Sequence, residues 1–189
     1  DLLSFGKLQY GFRSYIAVSG GFQTEKSMNS RSMYPEITSE FVIKKEDELA
    51  ILAKTTLEKP KASVKIKMSH FTSEELKVFK GPEFYLLTTA QQKQLVSEKF
   101  SISKENNRMA YQLVEPLKNS LKPILTSLVL PGTVQLTPSG KLIILMRDCQ
   151  TTGGYPRVLQ LSEAAINSLS QKGTGNSIFF KLHNTGFKK

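Results

Sequence analysis

The segment Pro131–Arg157 reads PGTVQLTPSGKLIILMRDCQTTGGYPR, and it decides the fold class of this chain. Two apolar runs, Val134–Leu136 and Leu142–Met146, flank the sequence TPSG at positions 137–140. Proline suits the second position of a type I turn, and glycine tolerates the positive φ that follows it. The pattern therefore predicts a tight β-hairpin that continues into a polar loop.

Short strands are predicted along much of the rest of the chain, because apolar and polar residues alternate. A capping box at Thr72 and Glu75 would permit a helix over 76–79, but Gly81-Pro82 would end it within two turns, so a strand is favoured there. Residues 99–103 and 109–114 are expected to form a hairpin across 104–107. The further predicted strands are Phe12–Val18, Glu48–Leu52, Val64–Met68, Leu76–Phe79, Lys99–Ser103, Met109–Val114 and Asn176–Leu182.

Two short helices are predicted from their N-terminal capping residues. Thr89–Ser97 follows Thr88, and either Thr88 or Thr89 suits the N-cap. A second helix begins after Ser162, with Leu161 and Ile166 placed for a hydrophobic staple. Many short strands with two short helices predict a mainly-β barrel or sandwich.

The composition is that of a globular domain. The chain has 189 residues, of which 39% are hydrophobic and 22% charged, enough to bury a substantial core. No apolar run approaches the roughly 20 residues that span a bilayer. The single Cys149 excludes an internal disulfide. The chain opens on Asp1 without a signal-peptide pattern, so a fragment of a cytoplasmic protein is expected.

The net charge of +10 raises the question of a polyanionic partner. Only five of the 26 cationic residues are arginine, whereas base readout favours bidentate arginine. The densest cationic run, Lys54–Lys67, alternates lysine with apolar residues and is typical of a solvated edge strand guarded by lysine. No nucleic-acid partner is predicted.

The loop after the hairpin carries a dense set of polar groups. Paired glycines, Gly153 and Gly154, let the backbone adopt positive φ and present N–H groups to an anion or carboxylate. Residues 150–152 (QTT) add neutral donors and acceptors, and Asp148 and Arg157 add charges of both signs. Tyr155 before a proline is expected to be extended, with a cis bond conceivable. Two interpretations stay open: a ligand site, or an ordered connection whose side chains satisfy loop amides.

The same segment resembles the signature GxIQvpxdGxPiiLmxDxQTTGGYP of the allophanate hydrolase subunit 2 family. This family includes the PxpC proteins of 5-oxoprolinase, the KipA proteins and the carboxyltransferase part of urea carboxylase. Residues 11–21 (GFRSYIAVSGG) resemble its GxRxYLAVxGG, and residues 29–34 (NSRSMY) resemble its GSRSTY. Residues 80–82 (KGP) and 107–109 (NRM) resemble its xGP and (S/D)RxG elements. The resemblance covers essentially the whole chain, without the family's opening QDxGR portion.

The resemblance implies a cyclophilin-like β-barrel forming the C-terminal two-thirds of such a protein, here residues 1–189. It identifies no catalytic residue and implies no metal site. Two departures stand out: Asn29 replaces a glycine, and Ser39–Asp47 replaces a glycine-rich run that contains an arginine. The implied substrate-binding residues are Ser30, Arg31, Ser32, Tyr34, Arg108, Gln135, Asp148, Gln150, Thr151, Thr152, Gly153, Gly154 and Tyr155.

Three functions are compatible with this resemblance. The favoured one is a PxpC-like component of an ATP-dependent 5-oxoprolinase, which converts 5-oxoproline to glutamate. The alternatives are a carboxyltransferase that moves a carboxyl group from carboxybiotin to urea or a similar amide, and a non-enzymatic KipA-like regulator that binds a kinase-inhibitor partner. All three imply a complex with a subunit 1-like protein of the PxpB or KipI type, and the first implies a PxpA-like subunit as well.

The implied ligand is a small acidic amide or lactam. The chain itself is expected to hold no cofactor, so ATP or biotin would be supplied through partner subunits. Neither a P-loop nor a Ser/His/Asp triad is present in the sequence. Among the other candidates, Cys149 is typical of a buried strand-end thiol, and His70 and His183 lack metal-ligand spacing. Arg31 suits a carboxylate, with a surface ion pair as the alternative, and Arg108 suits a ligand or a structural tether.

Overall fold

A computed structural model describes residues 2–52, 65 and 67–183. The chain has two units, which are described separately below. The first, here called the barrel unit, comprises Asp1–Arg13 and Ile66–Lys189. The second, here called the inserted unit, comprises Ser14–Lys65.

Short strands dominate the barrel unit. Its helices are α1 (Ser69–Thr72), α2 (Thr89–Ser97) and α3 (Glu163–Leu169), with a 3-10 helix at Phe84–Leu86. Its strands are β1 (Glu75–Lys80), β2 (Phe100–Asn106), β3 (Ala110–Leu113), β4 (Ser127–Leu128), β5 (Thr133–Leu136), β6 (Leu142–Leu145), β7 (Thr152–Gly153), β8 (Arg157–Leu161) and β9 (Ser177–Leu182).

Seven of these strands close into a barrel, in the order β1-β8-β5-β6-β3-β2-β9. Strand β1 completes the barrel because it pairs antiparallel with β8 and parallel with β9. The remaining two strands, β4 and β7, form a separate antiparallel ribbon. The predicted mainly-β barrel is confirmed. The described residues include a helix that was not predicted, α1, which has four residues and no side-chain cap.

The barrel interior is a continuous apolar core. Its largest fully buried side chains include Tyr111, Phe84, Phe100 and Phe180. The rings of Phe100 on β2 and Phe180 on β9 lie 5.6 Å apart, centroid to centroid. Burial of such aromatic surface is the main favourable contribution to folding.

Both predicted helices form with the expected caps. The Thr88 side chain accepts a hydrogen bond from the Gln91 N–H, and the Gln91 side chain accepts one from the Thr88 N–H, which completes a capping box at α2. At α3 the Ser162 hydroxyl accepts from the Ala165 N–H. These side chains satisfy amides that would otherwise lack partners at the helix N-termini.

The two predicted hairpins also form, one of them with a different turn. In β5–β6, Gly140 has φ +87° and its N–H donates to the Thr137 carbonyl at 2.9 Å, as predicted. In the other hairpin β2 continues to Asn106, so the turn lies at 107–109 and not at 104–107. The Asn107 side-chain oxygen accepts from the N–H groups of Met109 and Ala110 at 2.8 and 3.1 Å, which places the turn there.

Two predicted strands do not form. The segment Phe12–Val18 contains no strand, since the N–H groups of Phe12 and Arg13 donate to the Gln171 side-chain oxygen at 3.0 and 3.1 Å. In the inserted unit, Glu48–Leu52 contributes one bridge residue, Ile51, opposite Phe22. Apolar and polar residues alternate in both segments. A β-strand also needs a neighbouring strand for its backbone hydrogen bonds, so alternation alone does not produce one.

Two further predictions fall largely outside the described residues. These are the strand Val64–Met68 and the lysine-guarded edge at Lys54–Lys67, because 53–64 and 66 are not described. Met68 itself lies at the N-cap of α1. Across the described part of the chain, no helix has the length and apolarity that a bilayer crossing requires.

A β-bulge in β8 shapes the outer wall of the barrel. Val134 lies opposite Leu159 but Gln135 lies opposite Arg157, so Val158 is an extra residue in the β8 strand. Gly81, just after β1, donates its N–H to the Val158 carbonyl at 3.0 Å. A Cβ at Gly81 would lie 2.2 Å from the Arg157 carbonyl oxygen, so only glycine fits this approach.

We predict that Gly81→Ala destabilises the chain by about 1–3 kcal/mol or more, because the added methyl group meets backbone that cannot give way. Urea unfolding followed by circular dichroism measures the change. Gly6→Ala is the matched control, since a Cβ at Gly6 meets no atom within 4 Å. Equal unfolding midpoints for the two variants would contradict the assigned packing.

Candidate functional site

The QTTGGYP loop forms one side of the β4–β7 ribbon. Ser127 pairs with Gly153, and Leu128 pairs with Thr152. Two further backbone hydrogen bonds extend the ribbon, from the Val129 N–H to the Thr151 carbonyl at 3.0 Å and from the Ile124 N–H to the Gly154 carbonyl at 2.9 Å. The pairing partner, residues 124–129, was not predicted, because its own sequence lacks a strand pattern.

The ribbon covers the outer face of β5. All four residues of β5 are buried, although alternate residues of a strand point to opposite faces. Val134 and Leu136 belong to the barrel core, so Thr133 and Gln135 lie on the outer face. Gln135 is 2% exposed, and it lies beneath Gly153 of the ribbon.

The Gln135 side chain has an unsatisfied donor. Within the part of the chain that the structure describes, its Nε2 is the buried side-chain polar atom that lacks a hydrogen-bond partner. Leaving a buried polar group unpaired costs about 1–3 kcal/mol. Groups of this kind in native proteins call for a specific explanation, such as a functional role.

The two loop glycines do not use the positive φ that glycine permits. The described glycines with positive φ do not include Gly153 or Gly154. Space, not backbone conformation, explains Gly153: a Cβ there would lie 2.5 Å from Gln135 Nε2 and 3.3 Å from Val129 Cγ1. At Gly154 the nearest atom to a Cβ is the Ile124 carbonyl oxygen, at 3.4 Å, which is ordinary contact.

Arg157 holds the ribbon and the barrel wall together. Its guanidinium donates to both carboxylate oxygens of Glu83, at 2.9 and 2.8 Å, and to the Leu128 carbonyl at 2.9 Å. Its backbone N–H also donates to Glu83, at 2.9 Å. The bidentate bond to Arg157 lowers the pKa of Glu83 and raises that of Arg157. Arg157 is therefore committed to Glu83, a residue that sequence reasoning missed.

The other two arginines near the loop are also paired. Arg108 Nε lies 2.8 Å from an Asp148 carboxylate oxygen, and the Asp148 N–H donates to the Arg108 carbonyl at 3.0 Å. Both side chains are well exposed, at 67% and 43%. This geometry supports the tether interpretation of Arg108. Arg147 pairs with Glu163 of α3.

The remaining loop residues face solvent. Gln150, Thr151 and Thr152 are exposed, and Tyr155 is 39% exposed. The described residues contain no cis peptide bond, so the one conceived before Pro156 is absent. The structure thus brings Gln135 together with Gly153 and pairs Arg108 with Asp148. A ligand role for the loop stays a prediction.

The inserted unit holds the other four predicted site residues. Arg31 donates to the Thr24 carbonyl and, at 3.0 Å, to the Gln23 side-chain oxygen. The hydroxyl of Ser30 accepts from the Ser32 N–H at 3.1 Å, and Tyr34 is 48% exposed. The guanidinium of Arg31 therefore braces its own unit, an arrangement that neither proposed interpretation described.

The departures from the family pattern have local structural counterparts. Asn29, which stands where the family has glycine, has φ +63°, a left-handed conformation that asparagine tolerates better than most residues. Within 39–47, Glu46 has φ +75°, in a turn where the Lys44 N–H donates to the Asp47 carboxylate at 2.7 Å. Asn29 and Glu46 thus adopt the positive φ that glycine would favour.

The remaining chemical candidates fit structural roles. Burial raises the pKa of the Cys149 thiol, with a smaller contribution from Asp148, so its reactive thiolate is disfavoured. Among the described residues, no group of three or more His, Cys, Asp or Glu side chains could hold a metal ion. His183 instead packs edge-on against Phe79, at 5.2 Å between ring centroids.

We predict that Glu83→Gln lowers the free energy of unfolding at pH 7 by about 1.5–3 kcal/mol, because it breaks a largely buried charge-assisted pair. The Glu83 pKa lies below its ordinary value of 4.5 in the folded chain, so the pair stabilises above that pH. This stabilisation is lost as the pH falls through the lowered pKa. Urea unfolding at pH 7 and in steps below 4.5 measures the difference between variant and parent.

The control for this experiment is Asp148→Asn, which breaks an exposed pair. Such pairs contribute about 0–1 kcal/mol. A Glu83→Gln effect no larger than that of Asp148→Asn, or one that persists below the lowered pKa, would contradict the assigned contribution of the Glu83–Arg157 pair to stability.

We predict that Gly153→Ala displaces the ribbon from β5 at a cost of about 1–3 kcal/mol, because the new Cβ would press on Gln135 Nε2. Hydrogen exchange of the Val129 N–H, which bonds across the ribbon, is expected to accelerate. Gly154→Ala, whose Cβ meets only ordinary contact, should leave that rate unchanged. Unaltered exchange in both variants would contradict the close approach.

Comparisons with known proteins agree on the family. The model of the carboxyltransferase domain, subdomain A and B, matches residues 1–182. The 5-oxoprolinase C subunit of Escherichia coli (strain K12) is 30% identical over 184 residues, which is 94% of this chain and 58% of that protein. The 5-oxoprolinase C subunit of Haemophilus influenzae is 25% identical over 188 residues, 96% of this chain and 59% of that protein.

The chain thus spans about three fifths of the length of the curated relatives it matches. Among solved structures, Kluyveromyces lactis urea carboxylase superimposes with a TM-score of 0.71 at 18% identity, over 93% of this chain and 18% of that one. At that identity the likeness concerns the fold alone. The match of the family model along nearly the whole sequence shows that the chain belongs to the family of carboxyltransferase domains, subdomains A and B.

Proposed function

We propose that this chain is a PxpC-like component of an ATP-dependent 5-oxoprolinase, which opens 5-oxoproline to glutamate together with partner subunits. The observation that carries the proposal is the 30% identity to the Escherichia coli 5-oxoprolinase C subunit across 94% of this chain. The likeness to urea carboxylase lies at 18% identity and adds support for the fold only. The family by itself does not select the reaction.

The chemistry of the QTTGGYP loop is compatible with a small lactam. The planar amide of a lactam offers one carbonyl acceptor and one N–H donor, so neutral groups suffice to bind this part of 5-oxoproline. The exposed side chains of Gln150, Thr151 and Thr152 supply such groups beside the β4–β7 ribbon. Ring opening adds water across the carbonyl–nitrogen bond, which yields a carboxylate and an amine.

Partner subunits are part of the proposal. A subunit 1-like protein of the PxpB or KipI type would complete the assembly, and a PxpA-like subunit would join it. ATP would enter through these partners, since the sequence of this chain has no P-loop.

We predict that 5-oxoproline stimulates ATP hydrolysis only when this chain is mixed with its PxpA-like and PxpB-like partners. Phosphate release with and without 5-oxoproline measures the effect, and mixtures lacking one component are the controls. Thr151→Val should lower kcat/KM for 5-oxoproline about 3- to 10-fold, the value of one neutral hydrogen bond. Thr126→Val, another exposed threonine near the ribbon, should leave it unchanged.

Other outcomes would overturn the proposal in favour of a different function. Carboxylation of urea that depends on carboxybiotin, without 5-oxoproline turnover, would indicate carboxyl transfer. Tight binding of a KipI-type protein, with relief of kinase inhibition and no turnover, would indicate a regulator. Turnover in a mixture without this chain would exclude it as a required component.

A further inference from the structure

We propose that the Gln135 carboxamide is a ligand-binding donor, which bonds the carbonyl oxygen of a neutral amide or lactam once the β4–β7 ribbon moves aside. The inference rests on the proposed function for the location of the site. The resemblance already implies Gln135 as a binding residue; the inference adds the atom that binds, Nε2, the chemical class that this atom recognises, and the element that covers it.

The first observation is the unpaired donor itself. Gln135 is 2% exposed, and its Nε2 lacks a partner among the described residues. Replacing such a group with an apolar one of the same shape is neutral or favourable for stability. A glutamine at this position therefore works against stability in the unliganded chain, and a ligand oxygen would supply the missing acceptor.

The second observation is the contrast with Gln160 on the neighbouring strand β8. The Gln160 side-chain oxygen accepts from the Thr133 hydroxyl at 2.8 Å, and its Nε2 donates to the Pro131 carbonyl at 2.8 Å. Thr133 and Gln135 lie on the same face of β5, two residues apart. Gln160 on the same wall of the barrel has hydrogen-bond partners for its side-chain amide, so the position on this wall does not explain the unpaired amide of Gln135.

The third observation is the small size of the ribbon over Gln135, which is held by Arg157 and by the buried side chain of Val129. Each of its strands has two residues, and Leu128 is 75% exposed. Its link to Arg157 runs through one hydrogen bond, from the guanidinium to the Leu128 carbonyl at 2.9 Å. Short exposed elements with few buried contacts open at low free-energy cost. The ribbon can therefore shift while the barrel beneath stays folded.

The charges around the site select a neutral acceptor. Arg157, which lies opposite Gln135 on β8, is paired with Glu83 at 2.8 Å. A carboxylate bound at Gln135 would have to compete with Glu83 for the Arg157 cation. A neutral carbonyl needs only the amide N–H, at the 2.7–3.2 Å that such bonds span. For 5-oxoproline, the group that Gln135 would bind is therefore the ring carbonyl, not the carboxylate.

The test uses the full chain with glutamine labelled at the side-chain nitrogen and glycine at the backbone nitrogen, observed by NMR. The neutral probe is 2-pyrrolidinone, and acetate is the anionic probe. We expect 2-pyrrolidinone to shift the Gln135 side-chain resonance and the Gly153 amide saturably, and acetate to shift neither. In Gln135→Met the probe affinity read at Gly153 should fall about tenfold, while thermal stability holds or rises.

Gln160→Met is the matched control on the same wall. It breaks a satisfied pair of hydrogen bonds, so it should lower the melting temperature and leave the probe affinity unchanged. The inference is overturned if Gln135→Met binds 2-pyrrolidinone as the parent does, if it melts at a lower temperature than the parent, or if acetate alone causes the shift.

The outcome is separable from that of the proposed function. A saturable shift at Gln135 without 5-oxoproline-dependent ATP hydrolysis would reject the 5-oxoprolinase assignment and support this inference. Turnover by the three-component mixture, with the same KM for 5-oxoproline in Gln135→Met as in the parent, would support the assignment and reject the inference.

Discussion

Closure of the barrel by β1 is the constraint on which the rest of the structure depends. This strand pairs antiparallel with β8 on one side and parallel with β9 on the other, so both open edges of the sheet are satisfied together. Its inward residues, Leu76 and Val78, are fully buried. Because Gly81 follows directly and contacts the bulge in β8, the strand that closes the barrel also positions the wall beneath the candidate site.

The site follows from that wall by a short chain of contacts. The bulge at Val158 sets Gln135 opposite Arg157, and Arg157 reaches from Glu83 to the Leu128 carbonyl of the ribbon. The closed barrel therefore carries a two-stranded ribbon over Gln135, and the proposed binding requires that this ribbon move. Binding sites that must admit a ligand are commonly built from such low-stability elements on a stable scaffold.

The elements that were predicted from sequence are those with local signals. The β5–β6 hairpin depends on TPSG at 137–140, and the helices depend on caps at Thr88 and Ser162. What could not be predicted depends on contacts distant in sequence. Glu83 and Arg157 are 74 residues apart in sequence. The need for glycine at position 153 follows from the Gln135 side chain beneath it, which the sequence does not reveal. The resemblance pointed to the loop and to Gln135, but not to the unpaired amide.

Pairing of the three arginines around the loop has a consequence for ionic strength. Arg108, Arg147 and Arg157 each face a carboxylate, so their charges are locally cancelled although the whole chain carries +10. Salt screens attraction between separated charges but has little effect on neutral hydrogen bonds. Association through the lysine-rich remainder of the surface should therefore weaken as salt is added, whereas recognition beneath the ribbon should stay nearly constant.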